Sequence, residues 1–284
     1  MAEGKKREIP EREAGMSVAV GSQGVGKSWK TKMLIFDMVK GDMALGTKGS
    51  KVIVMDTNGE YTDTEFDKMG MKGFTSRKIA LDDVQSWCLS PLVECRRIDA
   101  KSLSMDKKLE TLEYLIKVCR DVVLIIDDIN TYVLNVTHLR EIVGGLVNLR
   151  HRACDVIVSY QSLRAVEPRM IANCRWVRMH YQSDDVYDVK GKLGGHLELF
   201  KIAQILVNAK YFGGDKRFYV HVMKADNKVK GKFSKKEFAE ACFKYLKGNN
   251  KIVKQFQKEN AMKEDEAMKA KVYHLVEMYY GNGN

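Results

Sequence analysis

The sequence predicts an α/β chain built on a central, mostly parallel sheet, and three features point that way. Short apolar runs recur: Ser17-Val-Ala-Val20, Lys51 to Met55, Val122 to Ile126 and Asp155 to Ser159. Runs without alternation suit strands covered on both faces. Between them lie segments whose apolar residues return near the 3.6-residue period, and only three prolines interrupt the 284 residues.

Taken in order, the first run enters a glycine-rich loop and then a helical pattern from Trp29 to Val39, with Met33, Leu34, Phe36 and Val39 in phase. The second run ends at Asp56. Lys78 to Asp99 holds two short apolar patches that the pattern does not assign. Ser104 to Arg120 reads as an amphipathic helix with Leu109, Leu112, Leu115, Ile116 and Cys119 on one face. The third run ends in Asp127-Asp128, and Thr137 can cap a helix reaching about Arg150. Arg175 to His180 and Phe218 to Met223 read as later strands. Ser234-Lys-Lys-Glu237 is a capping box that opens a helix to about Leu246. After Gly248-Asn-Asn, Lys251 to about Tyr279 gives one long helix or two shorter ones. The expected organisation is a charged tail over 1–14, a core over 15–224 and a lysine-rich helical extension over 225–284.

The net charge of +11 is uneven, for residues 224–284 carry fourteen lysines, no arginine and eight acidic residues. Such a surface suits phosphate-rich partners and equally suits a solvated face. No window approaches eighteen uncharged apolar residues, so no membrane span is expected. The N-terminus has no apolar core of a secretory signal. Six cysteines lack metal-ligand spacing, which predicts buried free thiols in a reducing cytoplasm. The six histidines show no ligand spacing either. The aromatics Phe238, Phe243, Tyr245 and Phe256 lie at near-helical spacing and read as core.

Gly21-Ser22-Gln23-Gly24-Val25-Gly26-Lys27-Ser28 fits G-x-x-x-x-G-K-[ST], the Walker A loop. Its glycines let backbone N–H groups turn inward around phosphates, and the helix that follows offers its positive end. Lys27 is placed to reach the β- and γ-phosphates, Ser28 to offer a hydroxyl to Mg²⁺, and Trp29 stands next in the binding segment. The strand ending in Asp127-Asp128 supplies the matching acids: Asp127 for Mg²⁺, and Asp128 to polarise the attacking water. Glu60 is an alternative to Asp128 for that task.

Asp56-Thr-Asn-Gly59 matches the D-x-x-G of GTPases, but Asn208-Ala-Lys210-Tyr does not complete the guanine motif N-K-x-D. No arginine-rich lid of a small-molecule kinase is evident. More residues are absorbed by a third reading. Val52 to Tyr61 (strand, then D-x-x-G-E-Y), Val156 to Ser162 (strand, then glutamine), Arg164 to Arg178 and Ser183 to Gly194 fall in the order seen in HerA/FtsK-superfamily ATPases, which the sequence resembles over about residues 15–224.

That resemblance implies a RecA-like P-loop NTPase that binds ATP and Mg²⁺ and pumps double-stranded DNA through its phosphate backbone. It makes Gln161 the sensor of the γ-phosphate. It also places a trans-acting arginine finger at Arg150, eleven residues before Gln161, with Arg152 and Arg140 as alternatives. A finger acting in trans implies a homo-oligomeric ring, a pentamer or hexamer. Among such motors the compact length fits a viral (bacteriophage) genome-packaging ATPase in the host cytoplasm, with a portal protein as a further partner. A phage assembly or secretion ATPase, or a nucleotide switch or kinase, is the alternative. Asp128 stands where relatives often carry Glu.

Overall fold

The computed structural model describes residues 14–42, 47–133 and 136–281, with only the backbone of Val136 and Thr137. The expected tail, up to residue 13, and the side-chain cap at Thr137 lie outside the described residues.

In chain order the first elements are β1 (Met16–Val20), α1 (Lys27–Lys40), β2 (Val52–Asp56), α2 (Asp63–Asp67), β3 (Ser76–Lys78), α3 (Val84–Leu89) and β4 (Cys95–Asp99). Next come α4 (Met105–Val118), β5 (Val123–Ile126), α5 (Val136–Asn148), β6 (Asp155–Tyr160), α6 (Pro168–Asn173) and β7 (Cys174–His180). The last are α7 (Lys190–Leu193), α8 (Leu197–Phe212), β8 (Tyr219–Met223), β9 (Lys228–Lys230), α9 (Lys235–Lys247), α10 (Asn250–Asn260) and α11 (Glu264–Tyr279).

The chain forms two compact units. One takes the segment up to Met16 and Ser28–Val158; the other takes Ser17–Lys27 and everything from Ser159. In the first, β3, β4, β2, β5 and β6 lie side by side in that order, and the pairings are parallel. The residues of β2 and β5 are buried, as apolar runs without alternation require. Met55 pairs with Ile126, so β2 and β5 end at the same level and their terminal aspartates share one edge of the sheet. In the second unit the order is β1, β7, β8, β9, with β7–β8 and β8–β9 antiparallel. The α/β class and the mostly parallel strand pairing stand as the sequence predicts.

Some elements differ from the sequence reading. The unassigned stretch holds β3, α3 and β4; β4 is only half-covered, so Arg96 and Arg97 break its apolar run. Helix α8 escapes a periodicity search because it is apolar nearly all round, burying Leu199, Phe200, Ile202, Ala203, Leu206 and Val207. The helical pattern expected to reach Arg150 ends at Asn148, and a 3-10 turn carries Leu149–Arg152. Lys251 to Tyr279 is two helices, separated at Ala261 with φ +51°. The Ser183–Gly194 segment holds a 3-10 turn (Val186–Val189) and the short α7. Of the four aromatics read as core, Phe238 and Tyr245 are buried, Phe256 is half-buried and Phe243 is exposed, with the Lys247 ammonium 5.4 Å from its ring centre. The Ser234–Glu237 capping box forms with both reciprocal bonds. No helix among the described residues is long and apolar enough to cross a membrane.

Candidate functional site

The glycine loop joins β1 to α1, so its last residues open a helix. Two backbone bonds anchor its entry: the Gly21 N–H donates to the Tyr160 carbonyl (3.3 Å) and the Ser22 N–H to the Tyr181 carbonyl (2.8 Å). A Cβ on Gly21 would stand 2.7 Å from the His180 Cβ, so no larger residue fits there. Gly26 has φ +85°, a left-handed conformation that favours glycine, and the Arg217 stem lies across it. Gln23 and Gly24 are exposed at the tip, and Val25 is buried beneath it. The Lys27 ammonium donates to the carbonyls of Gly21 (2.6 Å) and Ser22 (2.9 Å), which holds it back across the loop. Ser28 and Trp29 sit half-exposed in the first turn of α1.

Two buried side chains of β7 support this loop, and the sequence reading assigned neither a role. Arg178 is fully buried, and its Nη2 donates to the Lys27 carbonyl (3.3 Å). Its signal was a charged residue within an apolar strand. His180 is also buried; desolvation, with the neighbouring charges of Arg178 and Lys27, pushes its pKa well below the usual histidine value and keeps it neutral. Past β6, Gln161 is exposed. Gln182 is buried and accepts the Leu163 N–H at 2.7 Å, which fixes the backbone just beyond Gln161.

In the other unit, β2 and β5 deliver two buried aspartates. Asp56 Oδ1 accepts the N–H groups of Gly59 (2.7 Å) and Glu60 (3.0 Å), and Oδ2 accepts that of Tyr61 (3.1 Å). The D-x-x-G match is therefore a turn closed on its own backbone, and the same bonds fix the backbone that carries the half-buried Glu60. Asp127 is 3% exposed. Its Oδ2 lies 3.5 Å from the Asn58 amide nitrogen, and its main-chain carbonyl accepts from the Thr57 hydroxyl (3.2 Å). Asp128, with φ +48° and ψ +52°, adopts a left-handed turn that aspartate tolerates better than most residues. Its carbonyl accepts the Thr131 hydroxyl at 2.8 Å.

Arg140 and Arg150 are exposed, on α5 and in the 3-10 turn after it. Arg152 Nη1 donates to the carbonyls of Ile116 (2.9 Å) and Lys117 (2.6 Å), capping the last turn of α4. All six cysteines are free and buried. No cluster of three or more His, Cys, Asp or Glu with metal-site geometry occurs among the described residues.

The family model of the helicase HerA central domain matches residues 15–142. Among solved structures, the genome packaging NTPase B204 from Sulfolobus turreted icosahedral virus 2, in complex with AMPPCP, is 17% identical, with 77% of this chain and 96% of that chain covered at a TM-score of 0.46. The DNA-packaging ATPase B204 from Sulfolobus turreted icosahedral virus is 17% identical, with 77% and 97% covered at 0.48. The N-terminal domain of zonular occludens toxin from Neisseria meningitidis is 15% identical, with 59% and 76% covered at 0.32. No curated protein matches the sequence.

Proposed function

We propose that this chain, HerA-like over residues 15–142, is an ATP-driven double-stranded DNA translocase that works as a viral genome-packaging motor. The observation that carries the catalytic part is the contrast between two strand-end acids. Asp56 accepts three backbone amides of its own turn, and Asp127-Asp128, which directly follow β5, are the acid pair proposed for the nucleotide. The translocase part rests on the ordered motifs from Val52 to Gly194 and on a net charge of +11.

In this reading Gly21–Gly26 cradles the phosphates and Lys27 offsets the charge that grows on the β- and γ-phosphate oxygens. Ser28 and Asp127 supply a hydroxyl and a carboxylate, hard oxygen donors that fit a magnesium ion, whose role when bound is to neutralise phosphate charge. Asp128 or Glu60 orients the water and accepts its proton on a carboxylate oxygen. Gln161 senses the γ-phosphate. Arg150, exposed and following α5, reaches a neighbouring subunit's nucleotide in a ring of about five or six copies. Arg152 is the weaker choice because its guanidinium already caps α4. The lysine-rich residues 225–284 bind DNA, a portal or a neighbouring subunit, in the host cytoplasm.

The test is displacement of a third strand from duplex DNA. ATP-dependent displacement that proceeds from a duplex end, and is lost in Lys27→Ala, supports translocation. ATP hydrolysis without any displacement would leave an ATPase of another use.

A further inference from the structure

The geometry points to a base-binding platform at the rim of the glycine loop, made by Phe212 with Tyr181 and Tyr211 and flanked by Lys216 and Arg217, that takes the purine ring of the bound nucleotide. It rests on the nucleotide reading above. Tyr181 and Tyr211 stack with centroids 3.8 Å apart and planes 6° from parallel. Phe212 stands edge-on to both, at 5.4 Å and 5.5 Å, so its ring is held upright rather than folded away. It nevertheless remains 70% exposed.

This cluster is tied to both ends of the loop. The Tyr181 carbonyl accepts the Ser22 N–H at the entry (2.8 Å), and the Arg217 stem crosses Gly26 at the exit, with its Cγ 3.1 Å from where a Cβ would stand. The Lys216 ammonium lies 4.0 Å from the Tyr211 ring centre, so the patch is both aromatic and cationic. A ligand anchored here by its phosphates and carrying a flat, electron-rich ring matches that pairing. Stacking tolerates sequence, but a purine offers the larger face.

Calorimetric titration of wild type, Phe212→Ala and Phe212→Tyr with ATP and with inorganic tripolyphosphate tests this. The expected result is ATP binding weakened about tenfold in Phe212→Ala, tripolyphosphate binding unchanged, and ATP binding restored in Phe212→Tyr. Equal weakening of both ligands, or unchanged ATP binding, overturns the platform. Wild type binding tripolyphosphate as tightly as ATP removes the base contact while the phosphate loop stands. Wild type binding neither removes the nucleotide reading itself, and the platform with it.

Discussion

Asp56 and Asp127 occupy equivalent places: each lies at the end of a buried parallel strand, in adjacent strands whose registers align through Met55 and Ile126. Each is buried. Yet the carboxylate of Asp56 accepts three backbone N–H bonds from its own turn, whereas that of Asp127 is approached by the Asn58 side chain at 3.5 Å. Asp56 builds the turn that follows its strand. The same division separates Arg152, which caps α4, from the exposed Arg150. Matching a motif does not show that Asp56 closes its own turn or that Arg152 caps α4; their polar contacts do.

Carried over to the arginines, the contrast gives the largest expected effect. Arg150→Ala should lower ATP turnover about a thousandfold, as loss of a trans-acting finger does, with the melting temperature unchanged. Mixing it with Lys27→Ala should restore part of the activity that neither variant has alone. Arg152→Ala should instead cost about 1 kcal/mol of stability in a denaturant titration, because two helix-end carbonyls lose a charged donor. A turnover loss in Arg152→Ala larger than in Arg150→Ala would reverse the assignment.

The aspartates come next. Asp56→Ala leaves three amides, that of the buried Tyr61 among them, without their acceptor and should lower unfolding free energy by about 3 kcal/mol. Asp127→Asn should unfold near the wild-type midpoint while hydrolysing ATP at least about a hundredfold more slowly. Chemical denaturation read beside steady-state hydrolysis separates the two, and matching profiles would dissolve the comparison.

The smallest effect concerns a buried group that carries no charge. Burial holds the His180 pKa below its unfolded value of about 6.5, so the folded form resists a proton that the unfolded chain accepts. Its contribution is complete above that value and is lost as pH falls beneath it. The wild-type melting temperature should therefore drop between pH 7.5 and 5.5 by more than that of His180→Gln. Equal slopes would mean that His180 adds nothing to the acid sensitivity.

Much of this was legible in the sequence, for identifiable reasons. The strands β2, β5 and β6 are continuous apolar runs, and a fully covered strand can hardly be written otherwise. The glycine loop declares itself because Gly21 and Gly26 meet backbone demands that other residues cannot. By contrast, α8 was invisible because it is covered on nearly every side and so has no polar stripe. The support that Arg178 gives Lys27 spans 151 residues of sequence, and no local pattern encodes it. Nor could the sequence tell that Asp56 closes on its own turn, since D-x-x-G reads the same whether its acid faces a metal or three amides.

The most direct measurement of the central claim is steady-state ATP hydrolysis by wild type and Asp127→Asn, with and without linear duplex DNA. The account predicts wild-type hydrolysis that rises severalfold on duplex DNA, and an Asp127→Asn variant that stays folded and hydrolyses at background under both conditions. A wild-type rate indifferent to DNA, or an Asp127→Asn rate equal to wild type, would contradict it.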